Sequence, residues 1–187
     1  MNKPMTDTKT EPKTETKNAS QDSIDEIIAG WEVCRPDLDA HHLETVGRIV
    51  RLSLLMRDRI EKSLAQHGLA WDMFDLLLTL YRWEGAGAEG VRPTDLYAEC
   101  LLSSGGMTAR LRRAEEDGYI LRRRDPSDGR GARITLTAKG RNMVKKLVPG
   151  HFAASHGLVS ALNNSDKDKL ADLLQRLMIS LESPRED

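Results

Sequence analysis

Cysteine is scarce. Cys34 and Cys100 are the only two in 187 residues, too few for a disulfide scaffold and too far apart for a recognisable zinc motif. A reducing cytoplasm is the expected setting. Long apolar runs are missing as well. No segment approaches the roughly 18 uncharged residues of a spanning helix, so no membrane partner is expected. The polar N-terminus has no apolar h-region, which argues against a secretory signal. Charge of one sign is not in excess either: 28 Lys+Arg face 29 Asp+Glu, for a net charge of -1. That balance excludes a globally basic binder but permits a local basic stripe. Catalytic signatures are absent. There is no nucleophile–base constellation and no H-E-x-x-H. The GAGAEG stretch has no following Lys-Ser/Thr that would make it a phosphate loop. The expectation is a protein that is not an enzyme, with no cofactor and no metal site.

What is present suffices for one domain with extensions: 20.9 kDa and 39% hydrophobic residues. Residues 1–23 are polar, carry two prolines and lack a periodic face, and are expected to be disordered. Ile24, Ile27, Ile28 and Trp31 have helical spacing, so an extra amphipathic helix is expected over 24–35, stopped ahead of Pro36. A long helix is expected over 43–66, ended by Gly68, and a core helix over roughly 71–83. Pro93 suits the first turn of a third helix. Ser103 or Ser104 suits the cap of a fourth that Gly118 ends, with Met107, Leu111 and Ala114 as its inner stripe. The period then changes to two short strands around DPSDGRG, a hairpin. Thr137 can cap a helix running to about Leu162 and bent or broken at Pro149 and Gly150. Ser165 and Asp168 have capping-box spacing before a last helix with a Leu170–Leu173–Leu174–Leu177–Met178–Leu181 face.

Between Arg110 and Arg133 stand eight arginines, five acidic residues and no lysine. Arginine offers a rigid donor fork suited to phosphate oxygens and guanine edges. Short helix, turn, helix and basic hairpin is the order of a helix-turn-helix followed by a wing. The expected fold class is therefore mainly α with a small β wing, with a winged helix-turn-helix over 71–137. Thr108, Arg112 and Arg113 lie off the inner stripe, available to DNA together with Arg124 of the hairpin. The small SSGGMT start, including Ser103 and Ser104, would let the helix approach a duplex and offer backbone N–H groups to a phosphate. Close packing on the preceding helix is the competing reason for its glycines. A solvated charged face is the competing reason for the arginines.

The stretches PTDLYAECLLSSGGMTARLRRAEEDGYILRRRDPSDGRG and ARITLTAKG, flanked by one long helix before and two after, resemble the MarR family over about residues 43–182. The resemblance implies a transcriptional regulator, expected to be a repressor, that binds double-stranded DNA at a palindromic operator. It also implies a homodimer held by its N- and C-terminal helices, here 43–66 and 138–182. In the family wing an aspartate orients an arginine into the minor groove, and the matching residues are Asp128 and Arg130. Gly129 stands where a further arginine is usual. FDLLLTLYR, the tryptophan-bearing N-terminal helix and RPDLD resemble the urate-responsive branch. By that resemblance Trp31, Asp75, Arg82 and Arg110 hold urate or a similar small aromatic anion whose binding releases DNA. The chemistry suits it: two guanidiniums for the anion, a carboxylate for a ring N–H and an indole to stack. An Asp75–Arg110 ion pair, with Trp31 merely covering the core, is the competing reading.

Cys100 reads as a small buried residue, and Cys34 as an exposed thiol that would support a redox-responsive regulator. His41, His42, His151 and His156 read as solvated or locally hydrogen-bonded rather than as ligands. The alternative from another class is a dimeric scaffold or antirepressor that keeps the winged fold but binds protein. The retained wing arginines speak against it.

Overall fold

The computed structural model describes residues 21–100, 106–125 and 131–183. The chain divides into two compact units, one up to Leu54 and one from Leu55 onward. In chain order the elements are α1 (Ser23–Cys34), α2 (Leu43–Ala65), α3 (Trp71–Gly85), α4 (Pro93–Glu99), α5 (Met107–Glu116), β1 (Ile120–Arg124), β2 (Ala132–Leu136), α6 (Ala138–Leu158) and α7 (Asn164–Glu182). The expected class, mainly α with a small β wing, is the observed one. No helix among the described residues is long and apolar enough to cross a membrane.

In the first unit α1 packs on the N-terminal half of α2. Asp22 caps α1 by accepting from the Ile24 and Asp25 backbone N–H groups at 2.7 and 3.2 Å, while Asp25 accepts from the Asp22 N–H at 2.7 Å. Ordered helix thus begins inside the stretch expected to be a disordered tail, and residues 1–20 lie outside the described residues. Ile24 is the buried side chain of α1. It sits over Gly47, where a Cβ would stand 3.2 Å from its Cγ2. Arg48 of α2 binds Asp22 at 2.8 Å and Asp25 at 2.5 Å, fixing the helix pair. The apolar residues Trp31, Val33, Val46 and Val50 remain exposed.

The second unit holds the main core. α3 runs through it with Met73, Phe74, Leu76, Leu77 and Leu80 buried, against Leu96, Met107, Leu111, Ile120, Ile134 and Val144. Its dense apolar sequence leaves room for only two buried polar residues, Asp75 and Thr79. β1 and β2 pair antiparallel, with Ile120 opposite Leu136 and Arg123 opposite Arg133. Val91 adds a bridge to Ile134. The Thr137 hydroxyl accepts from the Gly140 N–H at 3.0 Å and donates to the Gly118 carbonyl at 2.8 Å, so the expected cap also ties α6 to the end of α5.

Three boundary expectations are corrected. α5 begins at Met107 with Gly106 as N-cap at φ +88°, not at Ser103 or Ser104, which lie outside the described residues. A left-handed cap is a position glycine fills without strain. α6 continues through Pro149 and ends at Leu158; the proline removes one backbone donor without interrupting the helix. α7 is capped by Asn163, whose side-chain amide oxygen accepts from the Asp166 N–H at 3.0 Å, in place of the Ser165–Asp168 pair. No residue of α7 is buried, and Leu173, Leu174, Leu177, Met178 and Leu181 form an exposed apolar face.

Candidate DNA-binding face and effector site

α5 buries Met107, Leu111 and Ala114 and exposes Thr108, Arg112 and Arg113, as the three-four spacing requires. Arg112 and Arg113 lie 3.8 Å from Glu116 and Asp117, separations too long to tie up either guanidinium. The Thr108 hydroxyl is 3.5 Å from the Tyr97 hydroxyl of α4. The exposed side of the second helix therefore carries two arginines and a hydroxyl, suited to phosphate oxygens and base edges.

The hairpin is anchored by a carboxylate that sequence pattern does not single out. Asp125, with a fully buried side chain, holds Arg92 of the α4 N-cap at 2.9 Å and Arg133 of β2 at 3.3 Å. Its backbone N–H donates to the Gly131 carbonyl across the hairpin at 2.9 Å. Arg122 binds Glu115 of α5 at 2.9 Å, and Arg124 is exposed. Asp128 and Arg130 lie outside the described residues.

Of the four residues expected to hold an effector, Asp75, Arg82 and Arg110 lie in the second unit and Trp31, exposed, in the first. Asp75 is buried beside the Cys100 thiol. Burial raises the pKa of that thiol, the Asp75 carboxylate raises it further, and Arg110 pulls it the other way. Asp75, Cys100 and Arg110 thus meet where α3, α4 and α5 join. The side chain of Arg110 is only 10% exposed and lies 3.6 Å from Asp72, one turn before Asp75. Its buried Nε has no hydrogen-bond partner among the described residues. The acid 3.6 Å from the Arg110 Nε is Asp72. Arg82 shares a helical face with Asp75 but is largely exposed, and donates to Glu99 of α4 at 2.9 Å. Asp72 and Glu99 had no signal in the sequence beyond being acids among acids.

Cys34 is exposed and Cys100 buried, as expected. His151 departs from expectation: it packs among Trp71, Phe74 and Phe152, with ring centroids 5.1 Å from Phe74, and burial lowers its pKa. No cluster of metal-ligating side chains occurs among the described residues.

A short helix, a second helix with an exposed arginine face and an anchored two-stranded wing define a winged helix-turn-helix protein. The sequence pattern of the MarR family matches residues 67–131, which span this lobe. The transcriptional regulator PecS of Dickeya dadantii is 29% identical over 154 residues, covering 82% of this chain and 92% of its own. Sco3205 of Streptomyces coelicolor, a MarR-family regulator solved in complex with DNA, superposes with a TM-score of 0.68 at 22% identity, over 80% of this chain and 93% of its own. BpsR of Bordetella bronchiseptica, whose DNA binding is regulated by 6-hydroxynicotinic acid, gives 0.66 at 18% identity, over 79% and 100%. Fold, family pattern and relatives thus make the chain similar to the MarR-family winged-helix transcriptional regulators, most directly over residues 67–131.

Proposed function

We propose that the protein is a ligand-responsive repressor that binds a palindromic operator as a homodimer and releases it on binding urate or a similar small planar anion. The observation that carries this reading is Arg110. An arginine of the DNA-facing helix has its guanidinium nearly buried and its Nε without a hydrogen bond, 3.6 Å from the partly exposed Asp72. A buried N–H left without an acceptor favours the arrival of one. An anion there bears directly on the position of α5, as a switch requires. Arg82 supplies a second guanidinium and Asp75 an acceptor. Thr108, Arg112 and Arg113 read the major groove. The wing, with Arg124 and with Asp128 orienting Arg130, reaches backbone and minor groove.

The exposed leucine face of α7 and the exposed Phe152 of α6 support dimerisation through 43–66 and 138–182, since contiguous apolar patches of this kind mark interfaces between chains. BpsR, regulated by a small aromatic acid, supports the class of effector. The test is a gel shift on the DNA upstream of the gene, with and without urate. Release at submillimolar urate is expected; a complex unaffected by urate at millimolar concentration contradicts the assignment.

A further inference from the structure

The wing is held unevenly along its length. At its base Ile120, Ile134 and Leu136 are buried in the core. From Leu121 to Arg124 every residue of β1 is exposed, so the outer half of that strand contributes little apolar packing. A two-stranded hairpin is marginal by itself in water. Asp125 stands about 16 Å along the chain from Ile120, at roughly 3.3 Å per residue. A swing of about 10° at the base would displace it by roughly 3 Å, further than a hydrogen bond to DNA tolerates.

That far end is where the chain buries a carboxylate. Asp125 follows β1 directly, its side chain has no exposure, and its two oxygens meet different elements. Oδ2 accepts from Arg92 Nε at 2.9 Å, and Oδ1 lies 3.3 Å from Arg133 Nε of β2. Arg92 is the N-cap of α4, the first helix of the helix-turn-helix, with Pro93 in its first turn. The chain just before Arg92 is bound to β2 as well. Val91 exchanges two backbone hydrogen bonds with Ile134, at 2.9 and 2.8 Å. The Gly90 carbonyl accepts from Arg133 Nη1 at 3.1 Å. Gly90 has φ +112° and approaches β2 so closely that a Cβ would stand 2.9 Å from the Thr135 methyl. Asp125 therefore joins the far end of β1, the start of β2 and the start of α4. A second bridge runs from Arg122 to Glu115 of α5, but it is a surface pair, and such pairs hold little.

We propose, resting on the DNA-binding reading given above, that Asp125 is a positioning residue for DNA recognition. It fixes the angle between the wing and the α4–α5 pair, so that both meet the duplex in one approach. Its own side chain, having no exposed surface, does not touch DNA. The charge is what holds the geometry. A carboxylate serves guanidiniums from two elements at once through two oxygens, whereas an amide has one neutral acceptor. Without that charge Arg92 and Arg133 can rehydrate, since their side chains are 46% and 29% exposed. The apolar base of the wing is untouched, so the lobe stays folded while the wing loses its angle.

The test uses the full-length protein and the DNA upstream of the gene. Fluorescence anisotropy gives affinity and thermal melting gives folding. Hydroxyl-radical protection reports the minor groove, and dimethyl sulfate protection of guanines reports the major groove. Asp125→Asn should weaken binding about tenfold, lose the minor-groove protection given by the wing and keep the guanine protection given by α5. Arg92→Gln, at a half-exposed site, should shift both readouts the same way by several-fold with its melting nearly unchanged. Glu115→Gln should stay within about twofold of wild type. Wild type that binds no DNA would overturn the DNA-binding reading and this inference with it. Wild type that binds, with Asp125→Asn and Arg92→Gln equal to it, would overturn this inference alone. So would equal loss of protection in both grooves with a lowered melting temperature, the mark of a merely structural role. If Asp125→Asn fails to fold, Arg92→Gln decides by the same outcomes.

Discussion

Arg110 of α5 lies 3.6 Å from Asp72 of α3, and no hydrogen bond satisfies its buried Nε. Arg82 stands in a parallel relation to Glu99, at 2.9 Å. Each guanidinium of the proposed effector set therefore has a carboxylate neighbour that a bound anion must rival. Both carboxylates are about 40% exposed, so each pair contributes little to stability, on the order of 0–1 kcal/mol.

Asp72→Asn and Glu99→Gln are accordingly expected to fold normally and to bind the anionic effector up to about fivefold more tightly, since the competing charge is gone. Calorimetry with urate on both variants checks this. Weaker binding in both would mean that these acids help to hold the ligand.

Arg130→Ala should weaken operator binding by about 2–4 kcal/mol, because a dimer presents two wings and each arginine is worth roughly 1–2 kcal/mol on DNA. Asp128→Ala should cost less, as it only orients the arginine. Titrations at several salt concentrations should show affinity falling steeply with salt, with a shallower slope in the Arg130 variant.

Gly140→Ala should destabilise the winged lobe by about 3 kcal/mol, measured by urea unfolding. A Cβ there would collide with the Tyr119 backbone carbonyl oxygen, and the Leu136 side chain is only 3.2 Å away. Backbone cannot move aside as a flexible side chain can. Gly150→Ala, with open space around it, should be neutral or slightly stabilising.

Burial lowers the pKa of His151 below its ordinary value of 6.5. The folded protein therefore favours the neutral ring, while the unfolded chain takes up the proton first as pH falls. The contribution of His151 is fully present above 6.5 and is lost as pH drops from there toward the depressed folded value. Urea midpoints between pH 8 and 5 should fall less steeply for His151→Phe than for wild type. Identical slopes would place the acid sensitivity elsewhere.

The parts of this architecture that follow from period and local chemistry were legible in the sequence. Met107, Leu111 and Ala114 mark the inner face of α5 because burial repeats with the helical turn. Thr137 announces α6 because a hydroxyl at that place satisfies a free N–H. The start of α5 was less legible, since a serine looks like a better cap than Gly106 until the backbone is known to be left-handed there. Asp125 was illegible for a different reason. Its partners Arg92 and Arg133 come from other elements, and no local pattern distinguishes an anchoring aspartate from a turn aspartate. The effector set came through resemblance, and its surroundings followed only from the fold. Asp72 at Arg110, Glu99 at Arg82 and Asp75 beside Cys100 are approaches between helices far apart in sequence.

The central claim is that a small anion bound at Asp75, Arg82 and Arg110 controls DNA release. The most direct measurement is calorimetric titration of urate into wild type and into Arg82→Ala, with operator release followed at the same concentrations. The account predicts saturable heat and release for wild type. The variant should keep its DNA affinity, because Arg82 reaches Glu99 rather than the exposed face of α5, and should lose both heat and release. Absence of heat and release in wild type at millimolar urate, or an Arg82→Ala response equal to that of wild type, would contradict it.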